Sequence, residues 1–337
     1  MNRSVTAETL AGTIEERVVA STVRRAHPVG ELTTYRVGGS ADVFVEVASI
    51  EDLVAVASVV AALDPPVVVL GRGSNLLVAD AGIAGLVVHL DESFASVATR
   101  GTEVQMGAAA SLPAAARRLA ALGLTGFEWA VGVPGSAGGA VRMNAGGHGS
   151  DMAASVRCAR VVDLRLGEDA PVAASDLAFG YRTSAIEGHQ VVTEVTIDLE
   201  PGDPGCSEDE LREIVKWRRA HQPGGQNAGS VFTNPSGDSA GRLIDEAGLR
   251  GHRHRSAHVS TKHANFIQAD PGGSADDIVA LMGEIVRRVH DHAGIWLHPE
   301  TALVGFGAEA LAPLHAPPAT EQSDTEQSDT FTEEDAP

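Results

Sequence analysis

The stretch Val67-Val68-Val69-Leu70-Gly71-Arg72-Gly73-Ser74-Asn75 decides how the chain is read. A short β-branched run between Pro66 and Gly71 predicts a buried strand, and the residues after it have the placement of a phosphate loop. Neither common kind fits. The Gly-Lys-Ser/Thr ending of a P-loop is missing, Leu76 stands where a dinucleotide fingerprint needs a third glycine, and the sequence to Leu90 reads as turn and strand. Gly-x-Gly is also the composition of a plain turn. What the loop offers a ligand is backbone N–H groups, the Ser74 hydroxyl and the Asn75 amide, a cradle for an anion that needs no helix dipole.

From Leu32 onward strand-like and helix-like segments alternate. Ala41–Val47 reads as a strand, Glu51–Leu63 as a helix with Leu53, Val54, Val56, Ala57 and Val60 apolar, and Leu86–Leu90 as another strand. Ser111–Leu122 has Ser at the N-cap, Pro113 in the first turn and Gly123 past its end, the marks of a helix. Val131–Gly149 holds seven glycines and predicts no regular element. Glycine at that density permits close backbone approach to a flat or phosphorylated ligand. A flexible linker would not carry interleaved Val, Pro, Met and Asn mid-domain. Two glycine loops in one lobe favour a nucleotide cofactor. Strands resume at Val156–Leu166 and Val191–Leu199, and Pro201-Gly202-Asp203-Pro204-Gly205 predicts a domain boundary. Beyond it, Ser207 and Glu210 read as a capping box leading into Leu211, Ile214, Val215 and Trp217. Ser274–His292 reads as a helix stopped by Gly294. The fold class is α+β, in two lobes.

The chain has 337 residues and a formal net charge of −20, which argues against nucleic acid or an anionic membrane as partner. Eight of its acids and no Lys or Arg fall in Ala308–Pro337, beside a tandem Glu-Gln-Ser-Asp-Thr, so 308–337 is expected to be a disordered tail. Only Lys216 and Lys262 are lysines, and arginine carries the remaining positive charge. Cys158 and Cys206 match neither a disulfide framework nor a zinc site, and a reducing compartment is expected. Charged residues interrupt Met1–Ala20, and Asp64-Pro65-Pro66 cuts the most apolar stretch, Val54–Leu70. No secretory signal or membrane span is expected, and the location is expected to be cytoplasmic.

Taken singly, Phe179-Gly180-Tyr181-Arg182-Thr183-Ser184, Ala228-Gly229-Ser230-Val231-Phe232-Thr233-Asn234-Pro235 and Trp296-Leu297-His298-Pro299-Glu300 each have an ordinary structural reading. Their order, with GRGSNLLV before them, GVPGSAGGAVRMNAGGHG, AGRLIDEAGL and VSTKHANFI between, and PETALVGF last, resembles the UDP-N-acetylenolpyruvoylglucosamine reductase family over about Leu32–Gly307. The resemblance implies an FAD-binding lobe of the PCMH type, made of two small subdomains, and an α+β substrate-binding C-terminal lobe. It divides the chain into an N-terminal extension (1–30), the FAD lobe (31–202), the substrate lobe (203–307) and the tail. It implies FAD and NADPH as cofactors and a UDP-sugar as substrate, in peptidoglycan precursor synthesis. By the same resemblance Ser230 delivers a proton to C2 of the enolpyruvyl group, while Arg182 and Glu300 stabilise the enolate-like intermediate. Gly71, Arg72, Gly73, Ser74 and Asn75, with Gly132, Pro134, Gly135, Ser136 and Gly139, hold FAD. Tyr181, Asn234 and His263 lie near the substrate.

Chemistry agrees with those roles. Hydride addition to an enol ether conjugated to a carboxylate piles negative charge on the carboxylate and C2, for which arginine is the natural counter-charge. Serine is a poor acid and needs a cation such as Arg182 or Lys262 to stabilise its alkoxide. Glu300 helps beside a carboxylate only when protonated or held by a cation, so a raised pKa is expected. The short interval between Ser184 and Val191 resembles the family's second type, which lacks a loop that places a tyrosine over the substrate. Three positions depart from the pattern: Arg255 stands for a glycine, Ala302 for an arginine and His221 for a lysine. An inward-pointing Arg255 is expected to replace missing charge. These departures leave open a paralogue that binds FAD or a UDP-sugar without turnover. Another non-covalent PCMH-type oxidoreductase is also open, since Gly71–Asn75 contains no histidine to attach flavin. His252, His254, His258 and His263 lack a cysteine or compact carboxylate set, so no metal site is expected.

Overall fold

The computed structural model describes residues 6–315. Its helices are α1 (Ala7–Glu15), α2 (Ile50–Leu63), α3 (Leu112–Ala121), α4 (Ala137–Arg142), α5 (Pro204–His221), α6 (Ala240–Glu246), α7 (Ala275–Ala293) and α8 (Ala308–Leu311). One four-stranded sheet has the order Thr22–His27, Ala41–Val47, Ile83–Leu90, Val67–Leu70, its first pair antiparallel and the others parallel. Ala41–Val47 is buried on both faces, which is why it reads as nearly unbroken apolar sequence. Val43, Val45 and Val47 pack with side chains of α1 and α2, while Phe44 packs with Val29, Leu70 and Val87.

The second sheet has five antiparallel strands in the order Asp169–Ala173, Val156–Asp163, Gln190–Asp198, Glu103–Gly107, Val97–Arg100. Helices α3, α4 and α5 share its core with Phe127, Trp129 and Met152. In the C-terminal lobe, α6 and α7 pack with a three-stranded antiparallel sheet, Arg253–His254, Ala257–Val259 and Ile267–Ala269. Helix α7 buries Ile278, Leu281, Met282, Ile285 and Val289, each contributing about 1.5–3 kcal/mol of transfer free energy. Ser274 caps α7 by accepting from the Asp277 N–H, and Gly294 ends it at φ 69°.

The lobes interlock. Leu76–Val78 pairs in parallel with Ala302–Val304, and Tyr35, Val37 and Leu77 sit in the C-terminal core. Asp80 accepts from the Ser274 hydroxyl and the Ala275 and Asp276 N–H groups, placing a carboxylate at the positive end of α7.

Five expectations are corrected. Residues 7–27 are not a separate extension, because Leu10, Ala11 and Ile14 of α1 pack into the first core and Thr22–His27 pairs with Ala41–Val47. Val131–Gly149 contains α4, in which a Cβ on Gly138 would stand 2.8 Å from Ala108 Cβ, so this glycine serves helix–sheet approach. The Ser207–Glu210 capping box does not form: Asp203 caps α5, and the Ser207 hydroxyl donates instead to buried Glu128 at 2.5 Å. Helix α5, expected to open the second lobe after Gly202, packs Leu211 and Ile214 into the core of the five-stranded sheet. The disordered tail expected over 308–337 does not include 308–315, since α8 is formed and Leu314 is buried in the C-terminal core. The rest of the tail, 316–337, lies outside the described residues. Among those residues no helix is long and apolar enough to cross a membrane, and no group of three or more His, Cys, Asp or Glu is placed to hold a metal.

Candidate active site

A cavity of about 1190 Å³ opens between the lobes, larger than the roughly 300–1,000 Å³ usual for ligand pockets. Both glycine stretches line it. Gly71–Asn75 follows the strand Val67–Leu70, and Gly132–Ser136 leads into α4. The stretches lie against each other: a Cβ on Gly71 would stand 2.9 Å from Ser136 Oγ, and one on Gly135 would lie 3.7 Å from Ser74 Oγ. Gly73 has φ 58°, and a Cβ there would meet Thr33 Cα at 2.6 Å, so only glycine fits this turn. Gly71, Arg72, Gly73, Ser74, Asn75, Gly132, Pro134, Gly135, Ser136 and Gly139 all border the cavity. A broad, glycine-walled cleft of this size fits a dinucleotide held by backbone donors.

Arg182, Ser230 and Glu300, distant in sequence, border the same cavity. Arg182 donates from Nε to Glu300 Oε1 at 3.0 Å and from Nη2 to the Gly146 carbonyl at 3.1 Å, from a backbone held at φ 57°. Burial raises the Glu300 pKa, outweighing the opposing attraction and hydrogen bond of Arg182. The raised pKa expected from the chemistry is thus found, together with the holding cation. Ser230 stands where this cavity meets a second, of about 430 Å³, lined by Asn234, Arg242, Arg250, Lys262 and His263 among others.

The two cations expected beside Ser230 are engaged elsewhere: Arg182 with Glu300 and Gly146, and Lys262 Nζ with the Arg219 carbonyl. Asn234 is exposed, and its Oδ1 accepts from the Ala240 N–H at 3.0 Å. Burial lowers the His263 pKa, with Arg250 and His221 adding to the effect. Its Nδ1 accepts from the Asn265 N–H at 3.2 Å, which leaves Nε2 to carry the proton. Tyr181 borders neither cavity; it is 61% exposed and lies 5.3 Å from the Arg182 guanidinium. Arg255 does not supply inward charge, since its side chain is 78% exposed and its nearest carboxylate is Asp277 at 3.6 Å. His221 hydrogen-bonds the Trp217 carbonyl and stacks on that indole at 4.6 Å.

Asn265 is a supporting residue the sequence reading missed. It is buried and clasps the Ser230 segment, accepting from the Phe232 N–H at 3.0 Å, donating to the Phe232 carbonyl at 2.8 Å and accepting from the Val231 N–H on its own carbonyl. An amide between Ala264 and Phe266 was the available signal, because buried polar groups need partners. Arg142 and Arg218 also border the large cavity. Arg218 donates to Gln222 at 2.8 Å, and burial lowers its pKa. Its helical spacing alone gave no hint that it turns inward.

The UDP-N-acetylenolpyruvoylglucosamine reductase C-terminal domain model matches residues 221–304, and an FAD binding domain model matches 41–168. UDP-N-acetylenolpyruvoylglucosamine reductase 2 of Symbiobacterium thermophilum is 41% identical over 287 residues, 84% of this chain and 92% of the relative. The reductase of Anaeromyxobacter sp. is 41% identical over 304 residues, 89% of this chain and 95% of its own length. The crystal structure of the Thermus caldophilus reductase superposes with a TM-score of 0.74 at 34% identity, covering 84% of this chain and 99% of that one.

Proposed function

The chain belongs to the UDP-N-acetylenolpyruvoylglucosamine reductase family, and from that premise we propose how its own residues carry the reaction. It is an FAD-dependent oxidoreductase that reduces UDP-N-acetylenolpyruvoylglucosamine to UDP-N-acetylmuramate in peptidoglycan precursor synthesis. Gly71–Asn75 and Gly132–Gly139 would hold FAD, which when bound would supply the hydride-transfer chemistry between NADPH and C3 of the enolpyruvyl ether.

Arg182 faces the substrate carboxylate. Its arrival puts a second anion beside one guanidinium, and burial already disfavours ionised Glu300, so Glu300 takes a proton and donates a hydrogen bond to the charge building on the carboxylate. Ser230 delivers the proton to C2. The smaller cavity, with Asn234, Arg242, Lys262 and protonated Nε2 of His263, receives the diphosphate half of the substrate. The short interval from Ser184 to Val191 supports a place in the family's second type, without a tyrosine loop over the substrate. Residues to about Gln222 form the cofactor lobe, and the following residues form the substrate lobe. Free Cys158 and Cys206 and a nucleotide-linked substrate accord with action in the cytoplasm.

The observation that carries the residue roles is the convergence of Arg182, Ser230 and Glu300 on a cavity bordered by both glycine stretches. The test is a visible spectrum of the purified protein and NADPH oxidation with and without the enolpyruvyl UDP-sugar. Flavin absorbance and substrate-dependent oxidation are expected, with Ser230→Ala losing the latter. NADPH consumption indifferent to substrate would overturn the assignment, and full turnover by Ser230→Ala would remove the proton donor.

A further inference from the structure

Glu300 is fixed through its peptide as well as through Arg182. Its N–H donates to the Val231 carbonyl at 2.8 Å, next to Ser230, and its carbonyl accepts from Asn75 Nδ2 at 3.0 Å. The Asn75 carbonyl accepts in turn from the Ala302 N–H at 3.1 Å, where the parallel pair Leu76–Val78 with Ala302–Val304 begins. The segment His298–Val304 therefore lies between the Ser230 segment and the first glycine loop, hydrogen-bonded on both sides: Thr233 N–H donates to the His298 carbonyl on one side, and Ala79 N–H to the Val304 carbonyl on the other. The sequence reading placed Asn75 among the residues that hold FAD, yet one of its two amide hydrogens is committed to the substrate lobe.

We propose that Asn75, besides bordering the cofactor cavity, is a positioning residue for Glu300, setting the carboxyl that serves the substrate half of the reaction. This rests on the role proposed for Glu300. The carbonyl of Glu300 is two bonds from its Cα, so release of the Asn75 bond frees the peptide on one side and lets the side chain move relative to Arg182. The guanidinium is itself anchored on the second glycine stretch through Gly146. Each half of the Arg182–Glu300 pair is thus tied to a different glycine loop, and the pair is aligned only when both ties hold.

The test uses the holoenzyme and separates the half-reactions by stopped flow. Asn75→Ala deletes the donor; Asn75→Asp keeps the shape and puts an acceptor where the donor was. Flavin lost by either variant is restored by reloading to full FAD occupancy; reoxidation by the enolpyruvyl UDP-sugar is then expected to slow about tenfold, the effect of roughly one hydrogen bond, and by more than reduction by NADPH slows. The pH at which reoxidation falls off should shift in both variants. Equal slowing of both half-reactions would overturn the proposal, as would loss of flavin with wild-type reoxidation after reloading. Glu300→Gln distinguishes the failures: if it slows reoxidation while both Asn75 variants do not, the positioning role falls and the role of Glu300 stands. If Glu300→Gln is also silent, both fall.

Discussion

Replacing Arg182 by lysine keeps the positive charge and removes the fork. The guanidinium bonds Glu300 Oε1 at 3.0 Å and the Gly146 carbonyl at 3.1 Å simultaneously, with the two side chains 27% and 14% exposed. A lysine ammonium is a point donor on a flexible stem and cannot reproduce that planar geometry. A hydrogen bond to a charged group is worth about 1.5–3 kcal/mol, so partial loss costs the ionised Glu300 roughly 1–2 kcal/mol. Losing that stabilisation of the anion moves the Glu300 pKa, already raised by burial, further upward. With protonated Glu300 as the working form, the alkaline limb of the substrate half-reaction moves up in pH, while its plateau falls for want of the aligned cation. Stopped-flow reoxidation of NADPH-reduced enzyme at a series of pH values reads both effects. Glu300→Gln should abolish this limb. An Arg182→Lys limb at the wild-type pH, or a Glu300→Gln profile superimposable on wild type, would refute the reasoning.

Three other perturbations address the scaffold. Asp52→Asn should lower stability by about 1.5–3 kcal/mol at neutral pH, read from the urea midpoint, because the buried carboxylate accepts from the Val19, Ala20 and Ser21 N–H groups and the Ser21 hydroxyl. Burial acts to raise the Asp52 pKa, but these hydrogen bonds outweigh it and the net shift is downward. Its contribution is therefore full above the unfolded value near ~4 and lost as pH falls through the folded value, so wild type and variant should converge in acid. Gly138→Ala should destabilise by about 1–2 kcal/mol through overlap with Ala108 Cβ, and adding Ala108→Gly should return about 1 kcal/mol in a double-mutant cycle; strict additivity would contradict the packing argument. Ser207→Ala should cost about 1.5–3 kcal/mol, since Glu128 keeps only its bonds from Thr125 and Gly126; an unchanged urea midpoint would show that a water replaces the hydroxyl.

What the sequence made legible is what local chemistry decides. Ser274 and Gly294 mark the ends of α7 because capping is settled within a few residues. The outer strands Thr22–His27 and Val97–Arg100 were not legible, since little of either is buried and no apolar alternation results. Helix α4 was hidden by its own glycines. Gly138 lowers helix propensity and is present because Ala108 leaves no room for a side chain, a demand visible only in three dimensions. Ser207 misled for a related reason: it satisfies the capping pattern, but the acidic residue that decides its orientation is Glu128, far away in the chain. The reacting trio was recoverable as a combination of motifs, whereas its supports, Asn265 and the Asn75 bond to Glu300, depend on the segments being brought side by side.

The net charge of −20 opposes three anionic ligands, yet charge is distributed to limit that opposition. Several outward arginines are matched locally: Arg25 with Glu8 and Glu15, Arg157 with Glu103 and Asp198, Arg253 with Asp270. Such exposed pairs add little stability, but each neutralises a carboxylate. At physiological salt the field of a remaining surface charge decays over about 8 Å, so the acidic surface reaches weakly into a cleft between two lobes. Glu46, Asp91, Glu92 and Glu187 also border the cleft, but around the reacting residues the balance differs. Burial alone acts on the Arg218 pKa, with no carboxylate among its causes, and the carboxylate paired with Arg182 is one that burial pushes toward neutrality. An incoming carboxylate or phosphate therefore meets donors already desolvated and held in place. Because a charge-assisted bond gains strength where water is excluded, a few placed arginines and a row of backbone N–H groups can outweigh an unfavourable but screened net charge.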